Sequence, residues 1–342
     1  MIAMQLAGLE VESYDAYEID KYAIKTAQHN FPMIKEHGDV FDADFTQYEG
    51  VDFLIGGSPC TYWSIAQTKN RETVASGTGW ELFCQYVRAL REARPKYFIY
   101  ENNKSMSKQI RASIDDAFGF EAVLINSALV SAQNRQRLYW VGRRNEDGTY
   151  SKVNVEQPAD RGILLKDVLD NAVALMAAEP INTDANEKAF CVTSRYYKGF
   201  GNNPGKCLEK HRDSMVAEPI NVTADGKAQC LRATCYKDGI RNIVANEVDR
   251  RTGVAEPINT DANGAPVYEV RDGKITIKGK QYPIKLKDGY YTIRKLTVSE
   301  CKRLQTVPEW YEFPVSNSRA YKMLGNGWTC EVIAHLIRSC NG

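Results

Sequence analysis

Apolar and polar positions along residues 1–145 predict strands and helices in turn. Short apolar runs predict buried strands near residues 11–17, 51–55, 96–100, 121–125 and 137–142. Between them, apolar residues recur at helical spacing in residues 20–30, 79–93 and 107–118. This alternation is typical of a doubly wound α/β sheet with helices on both faces, in which ligands lie at the carboxyl ends of the strands.

The pattern changes after about residue 150, where a five-residue unit begins to repeat. Ala178-Glu-Pro-Ile-Asn182 recurs as Ala217-Glu-Pro-Ile-Asn221 and Ala255-Glu-Pro-Ile-Asn259, at nearly equal intervals. Thr, Val, Tyr, Gly and Asn dominate these units, which favours short strands and turns over a helical solenoid. Asp-Gly pairs at residues 272–273 and 288–289 predict hairpins.

Three regions follow from these patterns. We expect an α/β domain over residues 1–150 and a smaller β-rich domain with the repeats over residues 160–292. Helical patterns return at Thr297–Leu304 and Cys330–Cys340. The segment 293–342 is therefore expected to pack back onto the first domain.

Composition narrows the class of protein. The chain has 342 residues, of which 43% are hydrophobic and 25% charged, as in globular domains. No apolar run is long enough to cross a bilayer, and the first residues do not resemble a secretory signal. We therefore expect a soluble cytoplasmic protein that does not bind membranes. Nine scattered cysteines without a Cys-x-x-Cys pair indicate neither a disulfide framework nor a metal site.

Charge alone does not identify a partner. The formal net charge is +1, whereas proteins that bind nucleic acid usually carry a basic patch. Basic residues do cluster in residues 195–212, where aromatic residues are interleaved, and in residues 271–287. A solvated surface is the ordinary explanation of such clusters.

Cys60 is the residue whose context most suggests chemistry. It ends the run Val51-Asp-Phe-Leu-Ile-Gly-Gly-Ser-Pro-Cys60, in which a predicted strand is followed by two glycines and a proline. The glycines permit a turn or a close approach to a ligand, and Pro59 restricts the backbone just before the thiol. A cysteine held in this way, and ionised by a nearby cation, can attack an electrophilic carbon. Free cysteines are more often buried in cores, but the Gly-Gly-Ser-Pro approach favours a nucleophile.

Four blocks in one order resemble the cytosine-5 DNA methyltransferases that use S-adenosylmethionine, most of all the single-chain enzymes of bacteria and phages. The blocks are Gly56-Gly-Ser-Pro-Cys60, Tyr100-Glu-Asn-Asn103, Gln133-Asn-Arg-Gln-Arg137 and Leu324-Gly-Asn-Gly-Trp328. The resemblance covers nearly the whole chain. It implies a Rossmann-like doubly wound methyltransferase sheet and a smaller β-rich target-recognition domain.

The resemblance implies roles for four catalytic residues. Cys60 would add to C6 of a cytosine, and Glu101 would be the protonated acid near N3. Arg137 would lie near the cytosine carbonyl, and Arg135 near a phosphate or the thiolate. The target base would be flipped out of the duplex, and residues 61–79 would form a mobile loop that closes over it. No histidine lies near a motif, so water would remove the C5 proton.

The resemblance also implies where S-adenosylmethionine binds. Glu18 would hold the ribose hydroxyls, Ile19 would lie against the adenine, and Asp39 would contact the adenine amino group. The same site would be lined by Val40, Pro59, Leu82, Asn326 and Trp328.

One departure from the family pattern puts activity in question. The Phe-x-Gly-x-Gly turn of the family has no counterpart here, because Met1–Leu9 resembles the helix that follows that turn. We expect the strands that would flank the absent strand to have unpaired edges. A start assigned too late in the gene or a decayed, inactive relative would each explain it. The joint presence of Cys60, Glu101, Arg135 and Arg137 favours the late start.

Three functions therefore remain open: an active DNA (cytosine-5) methyltransferase, an inactive DNA-binding relative, and an enzyme that methylates RNA cytosines. Duplex DNA is the expected partner, because strands and loops of a β-rich insert suit the major groove. A partner restriction nuclease is possible, and we expect a monomer. Candidate DNA contacts in the insert are Arg195, Lys198, Arg232, Lys237 and Arg241.

Overall fold

The fold was analysed in a computed structural model of the chain. The structure describes residues 1–59, 62–64, 71–170, 179–180, 215–219, 259–260, 266–277, 279–284, 286 and 288–341. Cys60 and the five candidate DNA contacts (Arg195, Lys198, Arg232, Lys237 and Arg241) lie outside the described residues, as does most of the repeat region.

The first part of the chain alternates helices and strands. The helices are α1 (Ile2–Leu6), α2 (Lys21–Asn30), α3 (Thr78–Ala93) and α4 (Lys108–Phe118). The strands are β1 (Tyr14–Ala16), β2 (Ile34–Glu36), β3 (Phe53–Gly56), β4 (Tyr97–Asn103), β5 (Val123–Asn126), β6 (Gln136–Arg144) and β7 (Tyr150–Lys152).

The second part contains short strands and then helices. The strands are β8 (Glu179–Pro180), β9 (Met215–Pro219), β10 (Asn259–Thr260), β11 (Pro266–Arg271), β12 (Lys274–Ile277), β13 (Lys280–Pro283) and β14 (Gly289–Lys295). The final helices are α5 (Val298–Leu304), α6 (Asn317–Asn326) and α7 (Cys330–Asn341).

The strands form three sheets. In the main sheet β3, β4, β6 and β5 lie side by side, with β7 added to β6. This sheet is mixed, because β3 runs parallel to β4 whereas β6 runs antiparallel to both β4 and β5. The strands β1 and β2 form a separate parallel pair. A third sheet, in which the strand pairs are antiparallel, contains β8 to β14.

Alternation along β4 produces the two-sided core of the main sheet. Tyr97 and Ile99 pack with α1 and α7 on one face, and Phe98 and Tyr100 pack with α3 and α4 on the other. All seven residues of β4 are buried, as expected for a strand covered on both faces. Helices therefore lie on both faces of the main sheet, as the sequence predicted.

Local signals explain several helix ends. Asp20 accepts a hydrogen bond from the Tyr22 amide at the start of α2, and the Ser107 hydroxyl accepts one from the Ile110 amide at the start of α4. Gly119 ends α4 with a φ of 79°, where glycine has no steric penalty. Thr297 and Glu300 form a reciprocal capping box at the start of α5.

Most predicted elements of the first domain are present with shifted ends. Elements that the sequence did not predict are β2, β7 and α6, which are too short or too polar to show a clear period. The Asp272-Gly273 hairpin is confirmed, since β11 pairs with β12 and both turn residues have positive φ. The Asp288-Gly289 hairpin is wrong: Gly289 begins β14, and β14 pairs with β11 and β9.

Two further predictions concern unpaired strand edges and membrane-spanning segments. In the described part of the chain, β1 pairs only with β2 and β3 only with β4, which agrees with the unpaired edges expected there. Among the described helices, none is both long and apolar enough to span a bilayer.

Gly142 tests the packing of the main sheet. A Cβ at Gly142 would overlap with Cε1 of Phe98, a ring packed in the core. We expect Gly142→Ala to lower the free energy of unfolding by about 1–3 kcal/mol, measured by urea denaturation. The matched control is Gly289→Ala, whose Cβ would have its nearest contact at 3.6 Å. Equal losses in the two variants would show that the Phe98 contact is unimportant.

Candidate functional site

The carboxyl side chain of Glu101 lies at the centre of the candidate site. Glu101 is on β4 near the carboxyl end of the strand and is only 8% exposed. Its Oε1 lies 3.0 Å from Nε of Arg137 on the adjacent strand β6. Its Oε2 accepts a hydrogen bond of 2.9 Å from the indole Nε1 of Trp328. Three distant parts of the chain therefore meet at one buried carboxylate.

Strand pairing explains why Arg137 faces Glu101. In the antiparallel register, Glu101 pairs with Tyr139 and Asn103 pairs with Arg137. Alternate residues of a strand share a face, so Glu101, Asn103, Arg137 and Tyr139 lie on the same side of the sheet. Burial raises the pKa of Tyr139, and so does the charge of Glu101. The Tyr139 hydroxyl therefore remains protonated beside the ion pair.

The two glycines before Cys60 allow a close approach to β4. A Cβ at Gly57 would lie 2.6 Å from the backbone oxygen of Glu101 and 3.3 Å from its Oε2. A Cβ at Gly56 would lie 3.0 Å from the ring of Tyr86. At Gly57 the close approach is to β4, since any side chain there would collide with the backbone of Glu101. An approach to a ligand stays a prediction.

Ser58, the residue after Gly57, is held against β4 by two contacts. Its hydroxyl lies 2.6 Å from the hydroxyl of Tyr100, and its backbone oxygen accepts a hydrogen bond of 3.2 Å from Nδ2 of Asn102. Burial raises the pKa of Tyr100, so its hydroxyl stays protonated. Ser58, Tyr100 and Asn102 had no predicted role, although the polar Asn102-Asn103 pair after an apolar strand was a signal. Pro59, which follows, is exposed.

Part of the segment predicted to form a mobile loop is bonded in the structure. The indole of Trp63 is fully buried and donates to Oε2 of Glu72 at 2.9 Å. Oε1 of Glu72 accepts from the amide of Gly79 at 3.0 Å, and the Arg71 guanidinium donates to the backbone oxygen of Ser105 at 2.7 Å. Whether the rest of the loop closes over a base stays a prediction.

Arg135 contacts the late segment around Gly325. It is 3% exposed, and Nη2 donates to the backbone oxygens of Gly325 at 3.2 Å and Gly327 at 2.8 Å. The guanidinium therefore fixes the chain just before Trp328. The sequence predicted that Arg135 would lie near a phosphate or the thiolate; its contacts here tie it to the segment that carries Asn326 and Trp328.

A buried amide network holds the same late segment, and no motif or period of the sequence pointed to its member Gln305. Nε2 of Gln305 donates to the backbone oxygens of Leu324 and Gly327. Oε1 of Gln305 accepts from the Thr329 hydroxyl at 3.0 Å. Gln133 joins this network through the Leu304 oxygen, at 2.9 Å. These amides are fully buried, and no periodic pattern marks them.

The predicted cofactor residues gather at the ends of β1 and β2. Glu18 and Ile19 follow β1, and Asp39 and Val40 follow β2; the two strands are parallel, so their carboxyl ends share an edge. Ile19 is 74% exposed, which leaves an aliphatic side chain for an aromatic ring to cover. Oε1 of Glu18 accepts from the amides of Ile19 and Asp20. Carboxylates beside an exposed apolar side chain suit a nucleoside, so the donor set fits S-adenosylmethionine.

One contact brings the helix that ends at Asn326 to this edge. Nζ of Lys322 lies 2.7 Å from Oδ2 of Asp20, and this hydrogen bond lowers the pKa of Asp20. Lys322 is on α6, which ends at the exposed Asn326, so this helix lies beside the segment that contains Glu18. The half-buried Leu82 is on α3, the helix that also carries Arg88.

Arg88 supports the turn that carries Asp39 and Val40, and sequence reasoning missed it. Its Nη2 donates to the Val40 oxygen at 2.8 Å, and its Nη1 donates to the Ala43 oxygen at 2.7 Å. Its guanidinium carbon also lies 4.7 Å from the centre of the Phe45 ring. Oδ1 of Asp39 accepts from the Phe41 amide at 3.0 Å, which closes the turn.

Comparison with known families gives a match over the whole chain. The model of the family described as "C-5 cytosine-specific DNA methylase" matches residues 1–342. The type II methyltransferase M1.ScrFI of Lactococcus lactis subsp. cremoris is 27% identical over 93% of this chain and 69% of its own length. The orphan methyltransferase M.Rho11sI of Bacillus phage rho11s is 35% identical over 42% of this chain. That match spans only 30% of the phage protein, less than half of its length.

Solved structures show the same fold. The Entamoeba histolytica methyltransferase EhMeth has a TM-score of 0.54 at 13% identity, over 99% of this chain and 92% of the other. A Spodoptera frugiperda DNMT2 mutant has a TM-score of 0.52 at 15% identity, over 100% and 96%. At such low identity these similarities concern the fold alone, and they confirm the Rossmann-like methyltransferase architecture that the sequence predicted.

Removing the Arg88 guanidinium tests whether the turn that carries Asp39 and Val40 needs this side chain to bind the predicted cofactor. We expect Arg88→Met to weaken binding of S-adenosylhomocysteine about tenfold, because charge-assisted hydrogen bonds contribute ~1.5–3 kcal/mol each. Isothermal titration calorimetry measures this. Arg111→Met is the control, since Arg111 pairs with Asp115 on the surface of α4 at 3.6 Å. An unchanged affinity in Arg88→Met would contradict a role for the turn.

Glu36 gives a prediction about pH. Burial, and after it the charge of Glu18, raise the pKa of Glu36, and its buried Oε2 has no hydrogen-bond partner among the described residues. A raised pKa in the folded state means that stability is lost as pH rises through it. We therefore expect Glu36→Gln to be more stable than the wild type at neutral pH, with no difference below the ordinary glutamate range.

Urea denaturation at the two pH values measures this difference. Glu121→Gln, at an exposed position, is the control. A Glu36→Gln gain that is the same at both pH values would show that the charge of Glu36 is not its cause.

Proposed function

The chain belongs to the C-5 cytosine-specific DNA methylases, and we propose that it transfers a methyl group to C5 of a cytosine flipped out of duplex DNA. The buried Glu101 carboxyl, beside Arg137 and against the Gly57 turn, is the observation that carries this proposal. It puts an acid, a cation and the backbone leading to Cys60 in one place. The methyl donor is S-adenosylmethionine, whose bound form offers a methyl group on a positively charged sulfur.

Cys60 begins the reaction in this proposal. C5 of cytosine is a poor nucleophile, so the Cys60 thiolate first forms a bond to C6. The electron pair of the C5–C6 double bond moves into the ring and makes C5 enamine-like. C5 would then form a bond to the methyl carbon of the bound donor as the bond from that carbon to sulfur breaks, and the leaving group would be neutral S-adenosylhomocysteine. Water removes the C5 proton, the double bond forms again, and Cys60 leaves as the thiolate, so the enzyme ends as it began.

Glu101 stabilises the charge that develops during addition. In its protonated form it donates a hydrogen bond to N3, where electron density increases as sulfur attacks C6. Arg137, which lies 3.0 Å from Glu101, holds the carboxyl and faces the cytosine carbonyl. Because the site is buried, these interactions are stronger than they would be in water.

The base must leave the DNA stack to reach this site. Cytosine C5 and C6 are covered by neighbouring bases in a duplex, and enzymes that act on such atoms flip the nucleotide out. The antiparallel sheet of β8 to β14 supports reading of the duplex, since strands and their loops can enter the major groove.

Transfer of labelled methyl groups tests the proposal. Purified chain, with and without an N-terminal extension, is incubated with labelled S-adenosylmethionine and either duplex DNA or RNA. We expect label in DNA at C5 of cytosine, and we expect Cys60→Ser to abolish transfer while DNA binding remains. Cys84→Ser is the control, because Cys84 is an exposed free cysteine on α3.

Three outcomes would contradict the proposal. Transfer that survives Cys60→Ser would exclude the covalent route. Inert proteins with Cys60 intact, extended or not, would indicate a DNA-binding relative without catalysis. Preferential labelling of RNA would indicate an RNA cytosine methyltransferase.

A further inference from the structure

Trp328 contacts the candidate acid directly. The sequence assigned Trp328 to the wall of the cofactor site, but its indole N–H donates to Oε2 of Glu101 at 2.9 Å. We propose that Trp328 is a positioning residue that fixes the Glu101 carboxyl for its contact with the cytosine ring. This inference rests on the function proposed above and adds a residue to it.

The geometry of the carboxyl group explains the effect. A carboxylate held at one oxygen can still rotate about its last side-chain bond. Here Arg137 lies at Oε1 and Trp328 at Oε2, so the two contacts together define the plane of the group. The neutral N–H also satisfies the second buried oxygen without adding a charge, which matters because an unsatisfied buried oxygen is costly.

The position of Oε2 indicates which side of the carboxyl Trp328 controls. Oε2 is the oxygen 3.3 Å from the place that a Cβ at Gly57 would take. Gly57 belongs to the turn that leads to Ser58, Pro59 and Cys60 in the sequence. Trp328 therefore holds the Glu101 oxygen that faces the nucleophile turn, where a base under attack must lie.

Trp328 is itself held from both sides. Before it, the oxygen of Gly327 accepts from Nη2 of Arg135 at 2.8 Å. After it, the buried Thr329 hydroxyl lies 2.8 Å from the Ser127 hydroxyl and donates to Oε1 of Gln305 at 3.0 Å. A donor anchored at both neighbours loses little further freedom when it binds Glu101. This rigidity is what a positioning residue requires.

Removing the N–H while keeping an aromatic ring tests the proposal. The variant Trp328→Phe is measured for kcat on duplex DNA, KM for each substrate, and the Kd of S-adenosylhomocysteine by calorimetry. We expect kcat to fall about 10- to 100-fold, because removing the N–H leaves a buried oxygen of Glu101 without its donor, with the Kd unchanged. Trp310→Phe is the matched control, since Trp310 is 52% exposed and packs edge-on against Phe31.

A second variant guards against a folding defect. Site-specific incorporation of 3-benzothienylalanine at position 328 replaces the N–H by sulfur in a ring of nearly the same shape. We expect the same loss of kcat, with a melting temperature equal to that of the wild type. A double-mutant cycle with Glu101→Asp should also show coupling, because the second change acts on the same carboxyl.

The other outcomes overturn the proposal. A weaker Kd for S-adenosylhomocysteine with unchanged kcat would make Trp328 a wall of the cofactor site. Full activity in both variants, or a parallel loss of kcat and affinity, would also exclude positioning of Glu101. If the wild-type protein transfers no methyl group, the proposed function itself fails, and that result is distinguishable because it precedes any variant.

Discussion

The buried side chain of Gln305 is the interaction on which the candidate site depends. Its amide nitrogen binds the backbone oxygens of Leu324 and Gly327, and its amide oxygen accepts from Thr329. These contacts determine where the chain returns after α6. This return brings the indole of Trp328 to Glu101, near the carboxyl end of β4. The amide is fully buried, so each unmade hydrogen bond would be costly.

An apolar framework makes this polar network possible. The strand β4 is buried along its whole length, with α1 and α7 on one face and α3 and α4 on the other. The polar residues Glu101, Asn102 and Asn103 come at its carboxyl end, where packing gives way to the site. There each buried polar group has a partner, as in the contact of Asn102 with Ser58. The buried strand thus holds the side chains of these three residues in fixed positions at its carboxyl end.

Two supports, each made by one arginine, organise the two halves of the site. Arg135 holds the carbonyls next to Trp328, on the side of the nucleophile turn. Arg88 holds the carbonyls of Val40 and Ala43, on the side of the cofactor residues. Backbone oxygens are the acceptors in both cases, so these hydrogen bonds do not depend on which side chains the accepting residues carry. The forked guanidinium suits such a role, because it can donate to two oxygens at once.

Local patterns reveal a good part of this molecule. The order of the elements in residues 1–145 follows from short apolar runs that alternate with stretches of helical spacing. Helices on both faces of the sheet follow too, because a strand that is covered on both faces is apolar along its length. The Asp272-Gly273 turn also follows, because both of its residues adopt positive φ. Asp288-Gly289 has the same composition, but its strand pairs elsewhere, and pairing between distant strands has no local signal. Short elements such as β2 were missed because three residues show no period.

For the site, the order of the motifs in the sequence points to Glu101, Arg135 and Arg137 as candidate catalytic residues, and the structure brings Glu101 and Arg137 together. What each side chain contacts follows from how the chain is folded. Trp328 and Glu101 are 227 positions apart in sequence, and Arg135 and Gly327 are 192 apart. A hydrogen bond across such distances leaves no periodicity, because it depends on how the late segment is folded onto the sheet. The direction of one indole N–H is therefore a property of the packing.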